Sequence, residues 1–152
     1  MLNGIDHVNL VVTDLAAMTQ FYCQVLGLRV TKRVTISGGW VENVVGLTNV
    51  KANVIYLEAD QGPRIEFIEY VRPIGVRPPE VEKANTVGIR HLAFRVEDID
   101  TAVAAVVAAG AQPLSLIQQV PNSQVAYAGG VRKRLVYFHD PEGNLLEFCE
   151  YR

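Results

Sequence analysis

Two histidines and two glutamates hold matched places in this chain. The histidines lie in Ile5-Asp6-His7-Val8 and Ile89-Arg90-His91-Leu92, and the glutamates lie in Ile65-Glu66-Phe67-Ile68-Glu69-Tyr70 and Leu146-Glu147-Phe148-Cys149-Glu150-Tyr151. His91 follows His7 by 84 residues (91 − 7), and Glu147 follows Glu66 by 81 (147 − 66). Intervals that agree this closely mark two copies of one supersecondary unit. Imidazole nitrogens with carboxylate oxygens are donors suited to a divalent transition metal such as Ni, Zn, Mn, Co or Fe. If each unit offers one histidine and one glutamate at a pseudo-twofold axis, four protein ligands leave two adjacent octahedral positions for substrate or water.

The elements that must position these groups follow from hydrophobic periodicity. Between Ile5 and Val12, His7, Asn9 and Val11 alternate with Val8, Leu10 and Val12, and in the second copy His91, Ala93 and Arg95 alternate with Leu92, Phe94 and Val96. Alternation of this kind predicts strands whose histidines point away from the apolar face. Asp14 and Asp98 are placed to cap helices ending near Gly27 and Gly110. The first helix carries the stripe Leu15, Met18, Phe21, Tyr22 and Val25, and the second is alanine-rich with Val103, Val106 and Val107. Three strands follow each helix, at 28–36, 52–58 and 64–71, then at 112–118, 133–139 and 144–151. Within the duplicated strand, alternation sets Glu66 opposite Phe67 and Glu147 opposite Phe148. If the phenylalanines pack under helices, Glu66 and Glu147 share the open face with the histidines, and Glu69 and Glu150 fall near strand ends in solvent.

The chain therefore reads as one α+β domain over 1–152, built from paired βαβββ modules at 4–71 and 89–151. A linker at 72–88 carries Pro73, Pro78 and Pro79. With 152 residues, 49% hydrophobic and 20% charged, the composition suits a soluble protein with a real core. No segment reads as a signal peptide or membrane span, so a cytoplasmic location is expected. A net charge of −2 argues against nucleic-acid binding and leaves a small molecule as the expected partner. Cys23 and Cys149 lack the close spacing of a redox or zinc pair and read as reduced packing thiols.

Two long connections, 37–50 with Trp40 and 119–132 with Tyr127, have the length of binding loops, and both aromatics are candidates to line a substrate pocket. Arg134, in the run Arg132-Lys133-Arg134, is a candidate for holding a carboxylate, phosphate or CoA group. His139 has no partner in the first module and is expected at the surface or facing a lid.

The opening His7-Val8-Asn9-Leu10-Val11-Val12-Thr13-Asp14-Leu15, with Phe21-Tyr22 and Leu26-Gly27-Leu28, resembles the vicinal oxygen chelate superfamily. So do the strand His91-Leu92-Ala93-Phe94-Arg95-Val96 and the ending Asp140-Pro141-Glu142-Gly143-Asn144-Leu145-Leu146-Glu147. That group includes glyoxalase I, methylmalonyl-CoA epimerase, extradiol dioxygenases, fosfomycin thiol transferases and bleomycin-binding proteins. The resemblance covers nearly the whole chain and implies a cupped mixed sheet around a metal, the glyoxalase/bleomycin resistance/dihydroxybiphenyl dioxygenase fold.

By the glyoxalase I pattern, the ligands map to His7, Glu66, His91 and Glu147. The activity implied is that of a metal-dependent isomerase or lyase that chelates vicinal substrate oxygens and stabilises an enediolate or enolate during proton transfer. Glu147 would be the base, and Glu66 would serve the opposite substrate face. A fourth protein ligand crowds the facial triad of an extradiol dioxygenase, and bleomycin-type binders lack the metal site. Those remain the alternative readings. Val11 and Tyr70 stand where glyoxalase I resemblance calls for an arginine and an asparagine, which argues against glutathione. A homodimer is expected, with the site either within one chain or shared between two.

Overall fold

An aspartate starts the helix that follows each module's first strand. Asp14 accepts a hydrogen bond from the Ala17 backbone N–H, and Asp98 accepts from Asp100 and Thr101, so the free N–H groups of both first turns are met where the sequence places the caps. In the computed structural model, which describes residues 1–152, these caps lie in two units, Met1–Arg77 and Pro78–Arg152. The first unit runs β1 (His7–Val11), α1 (Leu15–Gln24), β2 (Arg29–Ser37), α2 (Gly39–Val45), β3 (Lys51–Glu58) and β4 (Arg64–Arg72). The second runs β5 (His91–Arg95), α3 (Ile99–Ala108), β6 (Gln118–Gln119), a short 3-10 turn at Ala128–Gly130, β7 (Lys133–His139) and β8 (Leu145–Tyr151).

Each unit holds one mixed four-stranded sheet, ordered β1-β4-β3-β2 and β5-β8-β7-β6. In both, the first strand runs parallel to the last and the other neighbours are antiparallel. The expected α+β architecture of paired modules is present.

Packing settles which way the glutamates turn. In the first unit, α1 covers β3 and β4, burying Met18, Phe21 and Tyr22, and the Tyr22 ring meets Phe67 edge to face with centroids 4.8 Å apart. In the second, α3 covers β8, and Phe148 packs against Phe138 at 4.5 Å. Burying each such aromatic contributes roughly 1.5–3 kcal/mol, so neither strand can rotate its phenylalanine outward without losing most of that. Because a strand alternates, Glu66 and Glu147 are turned to the other face of their sheets.

Four expectations change. Glu150 is 1% exposed: its carboxylate accepts from the Ile99 N–H at the start of α3 at 3.3 Å and is paired with Arg134 and Arg152. Glu69 accepts from the Leu15 N–H at the start of α1 at 3.5 Å. The second pair of repeated glutamates thus serves helix N-termini, where negative charge is favoured, rather than solvent. The connection at 37–50 is not a plain loop, since α2 forms between Gly38 and a left-handed Gly46. Glu42 on that helix accepts from the Val50 N–H at 3.1 Å. The strand expected at 112–118 is cut to Gln118–Gln119 plus a single bridge from Pro113 to Phe138, because proline has no N–H for the ladder. Finally, Val107 is exposed, leaving Ile99 and Val106 as the buried residues of α3. No helix is long and apolar enough to cross a membrane.

Candidate functional site

In the first unit, His7 from edge strand β1 lies beside Glu66 of β4, with Nε2 3.5 Å from Oε2. Register brings two further donors to the same carboxylate, since Asn9 and Tyr56 are both paired with Glu66 across the sheet. Asn9 donates to Oε2 at 3.0 Å, and the Tyr56 hydroxyl donates to Oε1. Behind the imidazole, Asp6 lies 2.7 Å from Nδ1 and is also bound by Arg64. The His7 hydrogen bond, followed by that of Arg64, holds the Asp6 carboxyl below the usual carboxylate range. An ionised carboxylate only accepts, so Nδ1 carries the proton and donates. In the neutral ring, Nε2 then presents a lone pair to Glu66. Two facing acceptors of this kind suit a bound cation.

The second unit repeats this with different support. His91 Nε2 lies 3.2 Å from Glu147 Oε2, and Tyr137 of β7 is paired across from Glu147. Burial, followed by the charge of Glu147, pushes the Tyr137 hydroxyl up. Lys133 brings its ammonium 2.7 Å from Glu147 Oε1, a charge contact without hydrogen-bond alignment. Burial opposes the charge on Lys133, but the contact and charge of Glu147 outweigh it and raise the ammonium pKa. Glu147 is 3% exposed, so one cation faces a buried carboxylate that still has a poorly satisfied oxygen.

Each unit thus unites its own histidine and glutamate. No group of three or more His, Cys, Asp or Glu side chains able to hold a metal ion is gathered. Tyr127 is brought edge-on to Tyr151 at 5.5 Å, and Tyr151 shares the face of Glu147. Trp40 lies on α2 and is 61% exposed. Arg134 is not on the face of Glu147: its guanidinium is bound by Asp100 and Glu150 on the helix side. His139 is held by the Glu82 carbonyl at 2.9 Å.

Sequence reasoning missed Tyr56 and Tyr137, although their spacing (137 − 56) is the 81-residue interval of the glutamates, so the repeat itself carried the signal. The Tyr56 hydroxyl is pushed up to about 12, first by its hydrogen bond to Glu66 and then by burial. The folded chain therefore keeps a proton that the unfolded chain loses near pH 10. The associated stability is complete below about pH 10 and is lost as the pH rises toward about 12. Urea midpoints are expected to fall more steeply over that window in the native protein than in Tyr56→Phe. Parallel declines would contradict the assignment.

The comparisons agree with this architecture. A model of the Glyoxalase/Bleomycin resistance protein/Dioxygenase superfamily matches residues 4–148. The uncharacterized protein YaeR of Escherichia coli (strain K12) is 28% identical over 151 residues, covering 98% of this chain and 97% of YaeR. The crystal structure of a glyoxalase family protein from Bacillus cereus superposes with a TM-score of 0.86 at 27% identity, covering 99% of this chain and 95% of that one. A trypanothione-dependent glyoxalase I from Leishmania major shares the fold, with a TM-score of 0.63 at 18% identity over 98% of this chain and 87% of its own. With the doubled module, its strand order and a family match spanning both halves, the chain belongs to the Glyoxalase/Bleomycin resistance protein/Dioxygenase superfamily.

Proposed function

We propose that this protein is a divalent-metal-dependent isomerase or lyase of glyoxalase/epimerase type, acting as a homodimer on a small substrate with neighbouring oxygens. The observation that carries the reading is the doubled imidazole–carboxylate pair, with Nε2 to Oε2 separations of 3.5 Å at His7–Glu66 and 3.2 Å at His91–Glu147. His7, Glu66, His91 and Glu147 would hold the cation. The donors fit such an ion: Asp6 leaves the His7 Nε2 lone pair free, and Glu147 has a buried oxygen without an aligned donor. When bound, a divalent cation supplies Lewis acidity toward adjacent substrate oxygens.

The chain's own groups supply the proton transfer. Glu147 takes the carbon-bound proton at a carboxylate oxygen and returns it to the same or the neighbouring carbon. Lys133, with its ammonium 2.7 Å from Oε1, holds that carboxylate in position. Glu66, fixed by Asn9 and Tyr56, is the counterpart for the opposite substrate face.

Incubation in deuterium oxide with a panel of 2-oxo aldehydes, acyl-CoA thioesters and keto-sugars tests the reading. Deuterium is expected at the carbon beside the chelated oxygens of one class, and a chelator should abolish its entry. Ligand binding that ignores the chelator, with no exchange in any class, would indicate a metal-free binding module. Oxygen uptake with catechols would indicate a dioxygenase.

A further inference from the structure

The two modules agree at histidine, glutamate and tyrosine but part company beyond them. By the same intervals, Arg95 corresponds to Val11, Lys133 to Ala52 and Tyr151 to Tyr70, so both cations are peculiar to the second module. All three side chains share the face of Glu147. Arg95 ends β5 on the side of His91, and Lys133 is paired with Tyr151 across β7 and β8. The Arg95 guanidinium lies 5.3 Å from the centre of the Tyr151 ring, and the Lys133 ammonium lies 5.9 Å from it. Tyr127 closes against the edge of the same ring at 5.5 Å.

The charges on this face do not balance. Lys133 is matched by Glu147, whereas the exposed Arg95 takes part in no ion pair; Arg134 and Arg152 on the same module are paired with Asp100 and Glu150. A guanidinium near an aromatic ring and free of any ion pair still has its N–H groups to offer, and that fork matches a carboxylate or a phosphate. A neutral or cationic substrate would gain nothing from it. Lys133 links the two places, touching Glu147 and standing over the ring that carries Arg95.

We propose that Arg95 and Lys133, flanking the Tyr151 ring, form a subsite for an anionic group, carboxylate or phosphate, on the substrate whose reacting carbon lies at Glu147. This rests on the proton-transfer role given to Glu147 above. Arg95 supplies the two-pronged contact, Lys133 adds a second positive charge between the anionic group and Glu147, and Tyr127 and Tyr151 wall the subsite. In the first module the cations over the aromatic ring are Lys32 and Arg64 at Tyr56, from other positions, so the two modules offer an anionic group different surroundings.

The test uses the whole chain stripped of metal by a chelator, at constant ionic strength, titrated separately with inorganic phosphate and with malonate. Binding is followed by the amide shifts of Arg95, Cys149 and Tyr151 in proton–nitrogen correlation spectra. Saturable shifts are expected with at least one anion, and the tighter of the two identifies the group. Arg95→Ala should weaken that binding by about tenfold or more, with Arg95→Lys in between. Shifts absent for both anions, or equal affinity in Arg95→Ala, would overturn the subsite. Because no metal or turnover is involved, anion binding reports the subsite alone and deuterium exchange reports the proton transfer, so loss of either reading is separately visible.

Discussion

Glu147→Gln is expected to lower turnover by about two to four orders of magnitude while leaving the fold intact, the range over which a positioned acid–base group contributes. The amide has the shape of the carboxylate but cannot take up the carbon-bound proton. The residue is 3% exposed with Lys133 at 2.7 Å, so neither water nor a neighbouring carboxylate can readily replace it. Deuterium entry from solvent is the direct measure, with circular dichroism to establish that the sheet survives. Glu66→Gln sharpens the result. If one base shuttles the proton on one face, this variant keeps much of the exchange, whereas an epimerase that works both faces loses it in either variant. Exchange at the native rate in Glu147→Gln would remove this residue from the chemistry.

Removal of a divalent ion is the second large effect. A ligand bound only by the folded state stabilises it by about 2.7 kcal/mol at a hundredfold excess over Kd. For a chain of this size, that is a shift in Tm of roughly 5–10 °C. Chelator treatment of the native protein should give a drop of this order, reversed by one of Ni, Zn, Mn, Co or Fe, and the drop should vanish in both His7→Ala and His91→Ala. Metal analysis distinguishes the arrangements. One ion per four-donor set, lost in either variant, supports shared coordination by His7, Glu66, His91 and Glu147. Two ions, with one retained in each variant, would instead mean that each pair binds alone. Full metal content in both variants would end the assignment. Mixing the two variants tests the proposed homodimer, because metal binding returns on mixing only when donors come from different copies.

Much of this was legible in the chain. Asp14 and Asp98 cap helices because a short acceptor before an amphipathic stripe satisfies N–H groups only there. The fourth and eighth strands were readable because Phe67 and Phe148 alternate with glutamates, and a period of two leaves one consistent division of faces. The α2 helix was less legible, since its seven residues are set by Gly38, Gly46 and the burial of Val41 rather than by a long periodic pattern. Arg134 shows the limit from another direction. Its place in a basic run could not reveal that Asp100 and Glu150, distant in sequence, would bind it.

By itself the sequence determined the doubling, the module order, the strand faces and the four donor-type residues, because periodicity and capping are local and repeat with the chain. Only the tertiary structure decided the partners of those donors: Tyr56 and Asn9 on Glu66, Lys133 on Glu147, Asp6 behind His7, and Glu150 buried at the start of α3. Those contacts depend on strand register and on a parallel pairing between residues more than fifty positions apart. Register of that kind is set by how the helices and aromatic side chains pack, which no local pattern encodes.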